Sequence, residues 1–219
     1  MLRTSFLLFC LMGVTVFSWR MGDRRNSTGT GLEFLGKSTV LSYSREGLLE
    51  TGDILLTRGT HWRSQAVQML QRNSAFTHAG ILLEEEGQWW VVHAAPESGA
   101  ENEKAPRVGM ESLSGFLTNP HLQKVQVLRV QPLQPNQRKG IGKRAREMAE
   151  REIPFDGEYD LSTMDAVYCT ELIWRIYQTQ GLDFLDSVSW ERRVFLLDRP
   201  LLFPETFSSH PFTSIVLDL

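Results

Sequence analysis

The sequence predicts an α+β domain on a mostly antiparallel sheet, and three observations carry that prediction. Strand-like runs come early, helical spacing falls between and after them, and two apolar runs flank the acidic turn Glu85-Glu86-Gly87 as a hairpin would. The length of 219 residues suits one domain with a sizeable core, or at most two small ones. A charged fraction of 22% and a net charge of −3 lack the strongly basic balance of a nucleic-acid binder.

The elements follow in order. Residues 20–31, rich in Gly, Arg, Ser and Thr, read as a linker, and the domain spans 32–219. Gly52-Asp53 opens a strand at Ile54-Leu55-Leu56-Thr57. From His61 to Arg72 the apolar residues Trp62, Ala66, Met69 and Leu70 recur at helical spacing. Ala75 to Glu84 and Gln88 to Ala95 read as strands, followed by a polar stretch from Pro96 to Pro106. A short helix is expected around Met110–Leu117, a strand over Lys124–Val130, and a helix over Gln137–Glu152 ended by Pro154. The basic residues Arg138, Lys139, Lys143, Arg144 and Arg146 lie on that helix with Glu147 and Glu150, as a solvated face. Ser162-Thr163-Met164-Asp165 resembles a capping box for a helix from about Asp165 to Gln180, closed by Gly181. The segment from Trp190 onward, with Val194-Phe195-Leu196-Leu197, is the least readable part.

The N-terminus carries an apolar run from Ser5 to Ser18, with Arg3 before it and Arg20, Arg24 and Arg25 after it. Its length of about 14 residues is that of a signal-peptide core and short of a bilayer span. Val16 and Ser18 suit a cut ahead of Trp19, although Phe17 and Trp19 crowd the site and the arginines that follow disfavour export. Residues 1–19 are thus expected to be a cleaved signal peptide or an uncleaved anchor. The domain would be periplasmic or otherwise extracytoplasmic, with possible membrane association through 1–19 and an inner-membrane anchor as the second form.

The chain has two cysteines, and Cys10 lies in that apolar segment. Cys169 is therefore the only thiol of the domain and has no internal disulfide partner. It stands in Tyr168-Cys169-Thr170-Glu171-Leu172 near a helix start, where the dipole and free N–H groups favour a thiolate. Strand alternation puts Phe76, His78 and Gly80 on one face and Trp89, Val91 and His93 on the matching face. A two-residue loop, Glu85-Glu86 or Glu86-Gly87, places His78 and His93 on the same sheet face, directly opposed or one step diagonal. A three-residue loop without a bulge places them on opposite faces.

One thiol, one imidazole and a second polar group are the set an acyl-transfer site needs. Cys169 would be the nucleophile, His78 the base and His93 the orienting group. The Cys169 backbone N–H would meet the oxyanion, helped by a second donor for which Tyr159 and Tyr168 are the candidates. The competing reading makes Cys169 a packed core residue, since Ala166, Cys169, Ile173 and Ile176 share a helical face. Zinc on His78, His93, Cys169 and Asp53 is a further alternative, but no C-x-x-C or H-x-x-x-H spacing supports it, and neither metal nor cofactor is expected. His61, His121 and His210 read as surface residues.

Taken in order, Gly52-Asp53-Ile54-Leu55-Leu56, Phe76-Thr77-His78-Ala79-Gly80-Ile81, Val92-His93-Ala94 and Tyr168-Cys169-Thr170-Glu171-Leu172 resemble a known pattern. It is that of the circularly permuted NlpC-type papain-like cysteine hydrolases, in the YiiX/YebB-like group. The resemblance covers roughly Leu49 to Gly181 and extends toward Pro204-Glu205-Thr206-Phe207. It implies a sheet or small barrel packed against helices, with Cys169 as nucleophile, His78 as base and His93 as third member. Many relatives carry a carboxylate at that third place; the histidine here is closer to the lecithin:retinol acyltransferase branch, and Glu97 is an alternative. The implied activity is thiol hydrolysis or acyl transfer on an amide, ester or thioester, with a cell-wall peptide or a lipid acyl group as substrate. A non-catalytic domain of the same fold, binding cell-wall or lipid fragments, is the alternative. No nucleic-acid partner is expected.

Overall fold

The computed structural model describes residues 30–59, 75–95, 105–185 and 201–219. The expected export segment, the helix over 61–72, the alternative third residue Glu97 and the run 194–197 lie outside them. The elements in chain order are α1 (Thr30–Arg45), β1 (Ile54–Gly59), β2 (His78–Glu85), β3 (Gln88–Ala95) and β4 (Arg107–Ser112). Then come α2 (Leu113–Phe116), β5 (Leu122–Val130), α3 (Pro135–Glu150), α4 (Cys169–Gln178), α5 (Pro204–Ser208) and β6 (Thr213–Asp218). The strands form one six-stranded antiparallel sheet in the order β4-β3-β2-β1-β5-β6. The sheet stays open, so of the two expected forms the antiparallel sheet is the one adopted. None of the described helices is long and apolar enough to cross a membrane.

The alternation of β1 sorts its side chains into two cores, because successive residues face opposite sides of the sheet. Ile54 and Leu56 join Ala79, Ile81, Leu83 and Val92 under Ile141 and Ala145 of α3 and Leu172, Ile173 and Ile176 of α4. Leu55 joins Leu82, Val91 and Val127 beneath Val40 of α1 and Leu113 of α2. β1 is thus buried on both faces. That explains why its sequence reads as a continuous apolar run rather than an alternating one.

The hairpin closes on Glu86-Gly87, with Glu85 paired to Gln88 and φ of 52° and 77° at the two loop residues. Two successive positive φ values are those of a type I′ turn, whose twist matches the strands.

Four expectations are corrected. Residues 107–112 form β4, and only Leu113–Phe116 is helical, since the stretch pairs with β3 from Trp90↔Ser112 to Ala95↔Arg107. The cysteine helix starts at Cys169, because Val167 is held in extended form by its N–H to Pro154 O and by Asp156 N–H to its own carbonyl. Its cap is made by Glu171, whose Oε2 accepts from Tyr168 N–H at 3.4 Å, rather than by Ser162 to Asp165. His210 is buried at 5% exposure, with its ring 4.9 Å from Phe184 and 4.7 Å from Phe212. β6, α5 and α1 were not foreseen.

Two anchors fix α4 on the sheet. Tyr177 donates its hydroxyl to Gly52 O, just before β1. At the other end, Thr170 Oγ1 donates to Leu202 O at 2.6 Å, and Leu202 N–H donates to the Tyr168 hydroxyl at 3.0 Å. The first residue of α4 is thereby held at a fixed place against β2.

Candidate active site

The hairpin register decides where the histidines lie. With Ile81 opposite Val92 and a two-residue loop, His78 and His93 fall one step diagonal on the same face. Their rings touch: His78 Nε2 lies 3.0 Å from His93 Nδ1, with centroids 5.1 Å apart and planes at 86°. Phe116 of α2 covers the pair, edge-on to His93 at 5.3 Å and nearly parallel to His78 at 6.3 Å. On the neighbouring strand, His93 is opposite Gly109, and Glu111 follows on the same face with its Oε2 3.9 Å from His93 Nε2.

Between the histidines' strands the sheet opens. Leu82 N–H bonds to Asp53 O, so even residues of β2 bond to β1 and odd ones are aimed at β3. The β2–β3 ladder stops at Ile81↔Val92, two residues short of Ala79. The Ala79 N–H instead faces the Cys169 sulfur, which also has the backbone N–H groups of Cys169 and Thr170 beside it. Helix α4 covers one face of the sheet and the imidazoles project from the other. The thiol meets the sheet at Ala79, the residue that follows His78, and among the described residues no hydrogen bond joins it to the imidazole expected as its base, which stands on the opposite face. Cys169 is half-buried, not enclosed in the core that its helical face suggested.

Electrostatics run against one sequence expectation. Burial pushes the Cys169 thiol up to about 11, although the surrounding N–H groups pull the other way as a helix start should. Burial also takes His78 down to about 3, with the neighbouring His93 adding to the fall, and takes His93 down to about 4. All three shifts run in the direction that favours a neutral thiol and neutral imidazoles over a thiolate–imidazolium pair. The cause is desolvation: Phe116 covers the imidazoles, and the packing of α4 on the sheet covers the thiol, so charges there would lose water.

The sign gives a prediction. A thiol raised to about 11 is deprotonated only as pH rises toward that value, so iodoacetamide labelling of folded Cys169 should climb roughly tenfold per unit between pH 7 and 10. It should also lag a free cysteine at every pH in that range. Fast labelling that is flat below pH 7 would show a resting ion pair instead.

Gly80 lies just past the end of the β2–β3 ladder, packed against β3. A Cβ there would lie 2.8 Å from Val91 Cγ1, 3.2 Å from Val92 O and 3.4 Å from His93 Cβ. The valine can rotate, but the carbonyl cannot move without shifting β3. Gly80→Ala should cost roughly 1–3 kcal/mol in urea unfolding, as overpacking does, and should displace His93 from His78. An unchanged unfolding midpoint would refute this account of the glycine.

The remaining expected residues are placed as follows. Tyr168 is 3% exposed and its hydroxyl oxygen accepts from Leu202, a packing position at the start of α4. Tyr159 has a φ of 57° and packs edge-on against Tyr168 at 5.3 Å while remaining half-buried. Asp53 is fully buried away from the histidines, its carboxylate taking Arg129 Nε at 2.9 Å, Arg129 Nη2 at 2.7 Å and Glu50 N–H at 2.8 Å. It has no place in a zinc shell with them. Among the described residues no three His, Cys, Asp or Glu side chains gather as a metal site.

Two residues near the site went unnoticed in the sequence. Glu111 was hidden because its segment read as a helix, which obscures its sharing a strand face with the residue opposite His93. Phe116, three residues after Leu113 in the same stretch, carried no signal beyond core packing.

A histidine strand that precedes a cysteine helix, on an open antiparallel sheet, is the permuted arrangement of a papain-like fold. The chain belongs to the permuted papain-like amidase enzymes of the YaeF/YiiX, C92 family, whose model matches residues 48–216. Among solved structures it is similar to the metalloprotein YiiX from Escherichia coli O157:H7, at 21% identity and a TM-score of 0.60. That likeness covers 78% of this chain and 97% of the other, and it is a likeness of fold. The comparison with curated proteins gives no significant match.

Proposed function

We propose that this domain is a thiol hydrolase or acyltransferase in which Cys169 attacks, His78 takes its proton and His93 holds His78 in place. The observation that carries this reading is the 3.0 Å bond between His78 Nε2 and His93 Nδ1, made at the strand opening where the Cys169 sulfur lies. With His78 Nε2 engaged by His93, its Nδ1 is the nitrogen left for the thiol. Both groups rest neutral, so the nucleophile forms by transfer of the Sγ proton to His78 as the carbonyl carbon is attacked.

The oxyanion of the tetrahedral intermediate would then be met by backbone N–H groups at the start of α4, of which that of Cys169 is the nearest. Tyr159, the tyrosine that remains half-buried, is the better placed of the two expected helpers. Collapse of the intermediate expels an amine, alcohol or thiol, which recovers the proton from His78. Water or an acceptor then releases the acyl group from Cys169.

The substrate reading has two branches, a cell-wall peptide and a lipid acyl group. Family membership among amidases supports an amide bond, and the apolar cover by Phe116 suits an acyl chain. Export and membrane association through residues 1–19 belong to the same proposal and place either substrate within reach. A panel of peptide amides, acyl esters and acyl thioesters, comparing wild type with Cys169→Ala, tests the reading. Turnover of one class, lost in the variant, supports it. Binding of a fragment with no turnover by wild type would favour the non-catalytic alternative.

A further inference from the structure

We propose that Glu111 is a positioning residue that selects the tautomer of the His78–His93 pair, and so keeps the His78 Nδ1 lone pair free to act as base. The inference rests on the catalytic reading above and adds a fourth member to it.

The bond between His78 Nε2 and His93 Nδ1, at 3.0 Å, needs one N–H and one lone pair. Neutral rings allow two arrangements. In the first, His78 donates from Nε2, and His93 carries its proton on Nε2. In the second, His93 donates from Nδ1, its Nε2 is bare, and His78 carries its proton on Nδ1. Only the first leaves His78 able to accept the Cys169 proton. The second offers an N–H where a base is wanted.

The bond itself does not choose, since either ring can donate. Glu111 does. Its Oε2 stands 3.9 Å from His93 Nε2, and a carboxylate there attracts an N–H and repels a lone pair. The side chain is seated for that purpose by two features of the fold. β4 sets Glu111 on the face of His93 because Gly109 is paired with His93 and Glu111 is two residues on. Gly115 of α2 leaves room for the carboxylate, whose Oε1 would be 3.3 Å from any Cβ at that position. Half of the Glu111 side chain reaches solvent, at 49% exposure, which keeps its ionised form accessible although burial raises its pKa.

The arrangement is the orienting logic of a triad drawn one residue further out, with a carboxylate acting on the base through a second imidazole. It also answers the weakness of a neutral third residue. Imidazole alone orients His78, whereas imidazole backed by a carboxylate both orients it and favours the imidazolium formed during attack.

The test is long-range ¹H–¹⁵N correlation of the histidine rings in the full chain without substrate, with rings assigned by single substitutions. Wild type should show both His78 and His93 protonated at Nε2. Glu111→Gln keeps the shape and loses the charge, and should move both rings toward the Nδ1–H form. Glu111→Ala, which also loses the acceptor, should move them further. On the substrate found by the panel, kcat should fall about tenfold in Glu111→Ala with KM little changed. A wild-type His93 protonated at Nδ1, or ring tautomers identical in all three proteins, overturns the proposal. Because the spectrum is read without substrate, an inert Cys169 would sink the catalytic reading and leave the tautomer result standing on its own.

Discussion

Cys169→Ala should abolish turnover while leaving the unfolding transition within about 1 kcal/mol of wild type, since the change removes one small half-buried atom. His78→Ala should reduce kcat on the order of 10³-fold or more, because a thiol raised to about 11 supplies almost no nucleophile at neutral pH without a base. The neutral resting pair makes the base more important here than in a site whose thiolate is already formed. His93→Ala should fall between, by about 10- to 100-fold, as an orienting group does when the base itself remains. The double variant Cys169→Ala/His78→Ala should be no worse than Cys169→Ala alone, because members of one catalytic unit do not contribute additively. Measured kcat for the four proteins on one substrate decides this. Turnover surviving in Cys169→Ala would remove the thiol from the mechanism.

The sheet and the pairing of the histidines were legible because both rest on period-two alternation and a short loop. Once Glu86 and Gly87 are the only loop residues, the diagonal contact of His78 and His93 follows from strand geometry. The apolar run after Gly52-Asp53 announced β1, and Gly181, whose φ is 78° in the structure, announced the end of α4.

What stayed hidden depends on partners distant in the chain. Residues 110–112 are a strand because β3 has an edge to be paired, which no local pattern reports. The cap at Cys169 comes from Glu171, a carboxylate that Arg175 grips at 2.7 Å and that burial raises to about 7. A capping box read forward from Ser162 cannot reveal this. The thiol's acidity is hidden from the sequence for a related reason. A helix start promises N–H donors, and those are present. The burial that outweighs them comes from packing the start of α4 against the sheet, which Cys169 meets only in the fold.

Arg129→Leu should be among the most damaging single changes outside the site, at roughly 3–5 kcal/mol, because it strands a buried carboxylate. Asp53 has no solvent exposure, and Arg129 meets both of its oxygens in a paired geometry at 2.9 and 2.7 Å. Arg138 approaches Asp53 Oδ1 only to 3.9 Å and spends its own bonds on Glu50 at 2.8 Å and Thr51 O at 3.0 Å. It cannot replace the fork. Burial raises the Asp53 pKa even with Arg129 in place, which shows how large the desolvation is that the guanidinium offsets. The same Arg129 also donates to Leu48 O at 2.8 Å and pairs with Glu50 at 2.8 Å, so one side chain on β5 holds the whole entry to β1. Tyr177 of α4 bonds to Gly52 O in that entry, and α4 carries Cys169 at its other end. Loss of the fork should therefore lower Tm by about 10 °C, on the scale expected for a domain of this size, and loosen the helix that positions the thiol. Asp53→Leu combined with Arg129→Leu should recover much of the loss, since removing both partners leaves no unpaired charge. A double variant as unstable as Arg129→Leu alone would mean that the bonds to Leu48 and Glu50, and not the Asp53 carboxylate, are what Arg129 supplies.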